Sequence, residues 1–179
     1  MICHMPFFIA SGTVEDDYLM KGSAVLAKSW GAPLIEYSTA DLPENVLSSL
    51  TGRALVSLSG DPGAIHPNGM SWLEALGAWN YPVVLIAPPS LPSGAIDGSI
   101  PAYAALCAKY SLSLLGIVQI GGGWDLHSRR LDGLPWIGCL PINRIDYVEN
   151  LYEDTSSELY INALEIVFKL KKRMLEIKY

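Results

Sequence analysis

The sequence contains few of the residues that mark several functional classes. Its three cysteines, Cys3, Cys107 and Cys139, lie far apart in the chain. Their number and spacing support neither a disulfide framework nor a CxxC metal site. We therefore expect buried, reduced thiols and predict no metal site.

Basic residues and long apolar runs are also scarce. The chain carries 12 Lys and Arg against 18 Asp and Glu, a net charge of -6, which argues against nucleic acid as a partner. No apolar run reaches the roughly 18 to 20 residues needed to cross a bilayer. Residues 1–10 lack a cationic start before their short apolar segment. These features predict a cytoplasmic protein with no membrane partner.

What the chain does contain is enough apolar sequence for a sizeable core. Hydrophobic residues make up 50% of its 179 residues, and the mean hydropathy is +0.28. This composition predicts one folded domain over residues 1–179. Short β-rich runs alternate with segments of helical period. That pattern is typical of a three-layer α/β/α fold with a mostly parallel central sheet.

The apolar runs and turn residues predict the bounds of these elements. Strands are predicted at Pro6–Ala10, Pro33–Tyr37, Ala54–Leu58, Pro82–Ala87, Leu114–Ile120 and Trp136–Leu140. Helices are predicted at Asp17–Trp30, Ala40–Leu50, Met70–Trp79, Gly98–Tyr110 and Ser156–Lys178.

The last of these helices carries an apolar stripe at helical spacing. Its members are Leu159, Ala163, Ile166, Leu170 and Ile177. Such a stripe faces the core more often than a partner, and we expect it to do so here. A partner-facing stripe in a larger assembly is the alternative.

The second half of the chain resembles the dethiobiotin synthetases. The resemblance runs through "LGAWNYPVVLIAPPSLPSGAIDGSIPAYAALCAKYSLSLLGIVQIGG" and the later "LPWIGCLP". In that family a "LPVVLV"-like strand, a "GIVLN"-like strand and a "PxLGxxP" segment follow one another as Tyr81–Ala87, Gly116–Ile120 and Leu134–Pro141 do here. The resemblance implies a P-loop fold, ATP with magnesium as cofactors, and a homodimer.

The phosphate-binding loop of that family is only partly kept. The counterparts of its binding residues are Ser11, Gly12, Thr13, Lys21 and Ser23. The spacing from Gly12 to Lys21 is two residues longer than in the family's "GTDTGVGKT"-like loop, and the acidic run Glu15–Asp17 lies between them. Carboxylates near a triphosphate repel it, whereas in the first turn of a helix they are stabilising.

Other groups that carry the family's chemistry are replaced. Ser57 stands where the resemblance implies an acidic metal ligand, although Asp61 lies close by, and Ile120 stands where it implies a purine-reading Asn. The expectation is a dethiobiotin synthetase-like protein without ligase activity, acting as a small-molecule-binding or regulatory relative. Mg·ATP binding is disfavoured but left open.

Two polar loops offer a different candidate site. "SGDPGAIHPNG" presents Asp61 and His66, and "GGGWDLHSRR" presents Asp125 and His127. Both follow predicted strands, so they emerge at the same carboxyl edge of a parallel sheet and can converge. Together they suit acid/base work or anion binding; solvated surface side chains are the alternative. The three glycines lack a GxGxxG arrangement and do not indicate a dinucleotide loop.

A flavodoxin-like reductase that binds flavin mononucleotide is the second functional hypothesis. The stretch "GSAVLAKSWGAPLIEYSTADLP" is similar to the region in small flavin reductases where a Ser-rich loop and helix lead to a strand. Trp72, Trp79 or Trp124 would then cover the flavin ring.

Overall fold

A six-stranded parallel sheet forms the centre of the computed structural model, which describes residues 4–12, 14–142 and 157–176. The strands are β1 (Phe7–Ala10), β2 (Leu34–Ser38), β3 (Leu55–Ser59), β4 (Val83–Ala87), β5 (Leu114–Ile120) and β6 (Trp136–Leu140). Their order is β2-β3-β1-β4-β5-β6, and each neighbouring pair runs parallel. The predicted α/β fold is confirmed.

Six helices connect and cover these strands. They are α1 (Asp16–Trp30), α2 (Pro43–Ser49), α3 (Trp72–Ala78), α4 (Ser99–Lys109), α5 (Leu126–Leu131) and α6 (Glu158–Glu176). The predicted strands all form within one residue at each end. The sequence did not predict α5, because six residues are too few to show a helical period. The outermost predicted residues of α6, at 156 and 177–178, lie outside the described residues.

The two faces of the sheet are covered by different helices. On one face Phe8 and Ala10 of β1 pack in a core cluster that contains buried residues of α1 and α6. On the other face Phe7 and Ile9 pack in a cluster that contains buried residues of α2, α3 and α4. Alternate strand residues point to opposite faces, so β1 contributes to both cores. The fold is therefore three-layered.

Local chemistry sets several helix ends. The Ser71 hydroxyl caps α3 by accepting a hydrogen bond from the Glu74 amide at 3.2 Å. At the other end of α1, Gly31 adopts a left-handed φ of 73° and its amide donates to the Ala27 and Lys28 carbonyls. Pro43 opens α2, where its fixed φ suits the first helical turn. Because helical period alone does not fix an end, the predictions from Ala40 and Met70 begin α2 three residues and α3 two residues too early.

We predict that Gly77→Ala destabilises the fold although alanine is the better helix former. A Cβ at Gly77 in α3 would lie 2.2 Å from the Tyr110 carbonyl oxygen at the end of α4. Overpacking costs about 1–3 kcal/mol, against a gain of about 1 kcal/mol in helix propensity. The expected result is a lower urea midpoint, with a net loss of up to about 2 kcal/mol.

Gly98→Ala is the matched control for this substitution. Gly98 has a right-handed φ of -63° and open space where a Cβ would be placed, so its midpoint should change little. An increase in stability for Gly77→Ala would show that α3 and α4 are not in such close contact.

Candidate functional site

The strand order creates a crevice at the carboxyl end of β1. From β1 the chain passes over β3 to reach β2, and from β3 it passes over β1 to reach β4. The two crossovers run in opposite directions, so their helices cover opposite faces of the sheet. Open α/β sheets bind ligands at such a switch point. A ligand site is therefore expected at the loops that follow β1, β3 and β4.

The connection from β1 to α1 is short, and burial changes along it from the buried Ser11 to the exposed Gly12 and Glu15. It comprises residues 11–15, of which Thr13 lies outside the described residues. Ser11 is buried, and its hydroxyl has no hydrogen-bond partner among the described residues. Gly12 is exposed and contacts α4: a Cβ there would lie 3.5 Å from Tyr103 Cε2.

The two remaining phosphate-loop candidates lie inside α1 rather than at its start. Lys21 is only 6% exposed, and its Nζ lies 2.8 Å from the Asp17 carboxylate. Ser23 is buried and accepts a hydrogen bond from the Ser57 hydroxyl at 3.1 Å. The ammonium of Lys21 is thus already paired within the helix. Of the predicted set, the structure places only Ser11 and Gly12 in the described part of the loop.

Asp61 is brought to the crevice with a partner that sequence reasoning missed. The Tyr103 hydroxyl of α4 donates to Asp61 Oδ1, and the Gly63 amide donates to the same oxygen at 2.8 Å. Burial raises the pKa of Tyr103, and the hydrogen bond to Asp61 raises it further. Tyr103 therefore stays a neutral donor over the physiological pH range. No motif marks it, because only the strand order brings α4 beside the loops of β1 and β3.

A neighbouring cleft lies between the first turn of α1 and the strands β2 and β3. Its volume is about 340 Å³, within the range of small-ligand pockets. The lining residues are Asp16, Asp17, Leu19, Met20, Glu36, Tyr37, Ser57 and Ser59. Three carboxylates make the cleft anionic. The sequence had indicated the acidic first turn of α1, but Glu36 and Tyr37 had appeared only as part of a strand.

The acidic first turn is tied to the rest of the edge by two contacts. Asp16 accepts a hydrogen bond from the Gly60 amide at 3.2 Å, and Gly60 directly follows β3. Asp17 forms the ion pair with Lys21. Carboxylates in the first turn of a helix complement its dipole. Asp16 and Asp17 lie in the first turn of α1, where their charges were expected to stabilise the helix. No side-chain capping bond forms at the N-cap of α1.

The loops that carry the histidines do not converge. β1 and β4 lie between β3 and β5, which places the ends of β3 and β5 about 14 Å apart. Asp125 instead caps α5, where its carboxylate accepts hydrogen bonds from the Ser128 hydroxyl at 2.6 Å and the His127 amide at 2.9 Å. These bonds, that of Ser128 first, lower the pKa of Asp125. His127 is exposed and His66 half-buried.

No hydrogen bond or ion pair joins Asp61 or His66 to Asp125 or His127 in this part of the structure. Within residues 4–12, 14–142 and 157–176, no group of three or more His, Cys, Asp or Glu is placed to hold a metal ion. The described contacts therefore do not join the two loops, and an acid/base site shared between them stays a prediction. Asp61 remains a site candidate through Tyr103.

The three glycines after β5 have a packing role. Gly121 and Gly122 adopt φ values of 69° and 70°, and a Cβ on Gly122 would lie 2.7 Å from Pro89 Cβ. The Gln119 amide group donates to the carbonyls of Gly121 and Gly123 at 2.9 and 3.0 Å. The loop is thus held against the β4–α4 connection.

Arg129 belongs to the same packed region. It is 4% exposed and donates hydrogen bonds to the Ser90 hydroxyl at 2.6 Å and to Asp132 at 3.3 Å. Its guanidinium also lies over the Trp136 ring, 5.2 Å from the centroid. Arg129 therefore braces α5 against β4 and β6 and is not presented to an incoming anion.

The prediction of buried thiols is confirmed for Cys107, whereas Cys139 is only half-buried. Burial raises the pKa of Cys107 and of Cys139 to about 11. At pH 8 roughly one molecule in a thousand then carries a thiolate at either position. Neither is an activated nucleophile, whereas Cys3 lies outside the described residues.

The tryptophans do not form a flavin platform. Trp72 is fully buried and donates from its indole nitrogen to the Asp41 carbonyl. Trp124 packs edge-on against Trp136, with ring centroids 5.9 Å apart. Trp79 is 43% exposed but lies at the carboxyl end of α3. The strand order also differs from the flavodoxin order 2-1-3-4-5, because here β3 separates β2 from β1.

Comparison with known proteins adds no relative to this description. No protein-family model matches the chain, and no curated protein matches its sequence. Among the helices of the described residues, none is long and apolar enough to cross a membrane.

We predict that Tyr103→Phe lowers the free energy of unfolding by about 0.5–1.5 kcal/mol at pH 7, the net value of one hydrogen bond. Because the pKa of Tyr103 is raised in the folded protein, its contribution is complete below the unfolded pKa of about 10 and decreases as the pH rises further. Urea unfolding at pH 7 and pH 10.5 should show the difference between wild type and variant shrinking at the higher pH.

A double-mutant cycle with Asp61→Ala isolates the Tyr103–Asp61 contact. The two substitutions should be non-additive, with a coupling free energy of about 0.5–1.5 kcal/mol. Additive effects would contradict the hydrogen bond as the cause.

Proposed function

We propose that this chain is a dethiobiotin synthetase-like protein that has lost the ATP-dependent ligase chemistry and binds a small cationic molecule. The observation that carries this proposal is the charge at the start of α1. Asp16 and Asp17 line the cleft there, and Asp17 holds Lys21 at 2.8 Å. In a phosphate-binding fold this position offers amide groups and a lysine to an anion.

The geometry explains why a nucleotide triphosphate is disfavoured. A phosphate at the α1 N-terminus would meet two carboxylates before it met any cation, and like charges at such distances repel strongly when water is partly excluded. The Gly60 amide, a potential phosphate donor, is hydrogen-bonded to Asp16. Releasing Lys21 would leave Asp17 unpaired beside the phosphate. Each of these costs acts against Mg·ATP.

The same groups favour a ligand with an amine. Three carboxylates attract an ammonium group, and the hydroxyl oxygens of Ser57 and Ser59, which donate to Ser23 and to the Tyr37 carbonyl, can still accept hydrogen bonds from it. Leu19 and Met20 add an apolar wall that suits a short alkyl chain. A volume of about 340 Å³ limits the ligand to a small molecule. A short aliphatic amine or diamine fits this combination of charge, size and polarity.

We predict that 1,4-diaminobutane or 1,8-diaminooctane gives saturable heat in a calorimetric titration, whereas Mg·ATP gives none at concentrations that detect a Kd of about 1 mM. Glu36→Gln removes an exposed carboxylate of the cleft without touching the Asp17–Lys21 pair. It should weaken diamine binding by about 2–5-fold.

Glu44→Gln is the matched control, since Glu44 is also exposed but does not line the cleft. Its affinity for the diamine should equal that of the wild type. Saturable heat with Mg·ATP, or turnover of diaminopelargonate with ATP, would overturn the loss of ligase chemistry. Diamine heat that is absent, or unchanged in Glu36→Gln, would overturn the assignment of the cleft. Uptake of flavin mononucleotide with a yellow colour would favour the flavodoxin-like alternative.

A further inference from the structure

Strand β2 forms one edge of the sheet, and its outer side is unpaired in the described structure. It pairs with β3, and among residues 4–12, 14–142 and 157–176 no second strand lies beside it. Within the strand Ile35 is 37% exposed, and Glu36 is exposed as well. Such an edge presents backbone donors and acceptors with which another extended chain can pair.

The hydrogen bonds to β3 show which backbone groups of β2 point outward. The carbonyl just before the strand, at Pro33, and the amide just after it, at Thr39, both bond to β3, at 2.9 and 2.8 Å. In a parallel pair every second residue of a strand turns its backbone groups toward the neighbour. The N–H and C=O groups of Leu34 and Glu36 are therefore directed away from the sheet.

The turn after β2 closes the carboxyl end of this edge. The Ser38 amide donates to Asp41 Oδ2 at 3.0 Å, and the Ser38 carbonyl accepts from the Asp41 amide at 2.9 Å. A partner strand would therefore pair through Leu34 and Glu36. With 5 residues in β2, a short extended segment is enough to cover the edge.

The anionic cleft lies beside these outward-facing groups. Glu36 is aligned with Ser57 in the register of β2 and β3, and Ser57 donates to Ser23 of α1. Aligned residues share a face of the sheet, so the Glu36 side chain lies on the α1 face, where it lines the cleft with Asp16 and Asp17. A strand added outside β2 would run about 4.8 Å away, which brings one of its side chains next to Glu36.

We propose that β2 binds an extended basic peptide segment of another protein as an additional strand, with a lysine side chain reaching into the cleft. The lysine side chain is a short aliphatic amine, so this binding mode rests on the proposed amine preference of the cleft. Backbone pairing with Leu34 and Glu36 supplies affinity, and the lysine supplies specificity. The residues on either side of the lysine point to the opposite face, beside Ile35, and are expected to be apolar.

Charge favours a basic partner over a second copy of this chain. Antiparallel pairing of two β2 strands centred on Glu36 would set one Glu36 carboxylate against the other, and like charges directly opposite destabilise a sheet. The net charge of -6 adds a general attraction for cationic partners. A charge within an edge strand opposes self-association, and here it matches a strand that carries a lysine.

Titration of the isotope-labelled full chain with the peptide acetyl-Thr-Val-Lys-Val-Thr-amide, followed by NMR, tests this proposal. Saturable shifts are expected in β2 and the cleft, with a Kd below about 1 mM. At saturation the Glu36 amide should exchange with solvent at least about tenfold more slowly. A probe with norleucine in place of lysine has a similar length without the charge, and it should bind about fivefold more weakly.

Two N-methylated probes are matched controls for backbone pairing. Successive amides of an extended chain point to alternate edges, so methylation of the lysine amide and methylation of the following valine amide block opposite edges. One of these probes should lose at least about tenfold in affinity, because it can no longer pair with β2. The other should bind like the parent peptide.

Substitutions in the chain test the position of the lysine. Glu36→Gln should weaken binding of the lysine probe about 2–5-fold and leave the norleucine probe unaffected. Glu44→Gln should change neither, since Glu44 is exposed but does not line the cleft. Circular dichroism checks that both variants are folded.

Absence of saturable peptide binding would overturn the proposal, as would equal affinity of the lysine and norleucine probes or an equal response to the two methylations. Its failure is distinguishable from failure of the proposed amine ligand. Saturable diamine heat without peptide binding would overturn the strand pairing alone. Peptide binding with the expected differences between probes, but without diamine heat, would support the strand pairing and overturn the free amine.

Discussion

The burial of β1 on both faces and along both edges is the constraint on which the rest of this structure depends. Its four residues are all buried, and it pairs with β3 on one side and β4 on the other. A strand in this position must be apolar throughout, because water reaches neither face. Because β1 ends between β3 and β4, Ser11 lies directly after it in a crevice. The loops that follow β3 and β4 bound this crevice. The contact of Gly12 with Tyr103 and the bond from Tyr103 to Asp61 result from that placement.

The start of α1 shows how helix stability and anion binding compete for the same groups. A helix N-terminus carries partial positive charge that either a bound anion or the chain's own carboxylates can satisfy. Here Asp16 and Asp17 occupy the first turn, and Lys21 is paired with Asp17. The charges that stabilise α1 therefore oppose phosphate, and they leave an anionic cleft beside β2 and β3. The proposed preference for a cationic ligand therefore requires no change in the strand-turn-helix layout.

Helix α6 joins the core through one side only. Its buried residues complete the core on the α1 side of the sheet, and Arg173 donates to the Leu115 carbonyl at 2.7 Å. On its other side Ile161, Leu164, Phe168 and Leu175 are exposed. Because the buried and exposed sides are separated around the helix, the core contacts of α6 do not depend on the residues of its exposed side.

The sequence by itself determined which segments form strands and most helices. Apolar runs bounded by Gly, Pro and polar residues marked β5 and β6 to the residue, and signals such as Ser71 and Gly31 act within a few residues of the helix ends they set. The apolar stripe of α6 was predicted to face the core for the same reason, since helical period is a local property. Only α5 was missed among these elements, being too short to show a period.

Tertiary structure alone decided which of these local features meet. The strand order separates the loops of Asp61 and Asp125, which the sequence had suggested would converge, and it brings Tyr103 to Asp61 instead. Burial of Arg129 over Trp136 and exposure of Phe168 likewise depend on how distant segments pack. Local preferences extend over a few residues, whereas the position of a strand in a sheet depends on pairing between segments far apart in the chain. That is why the elements were predictable and the composition of the site was not.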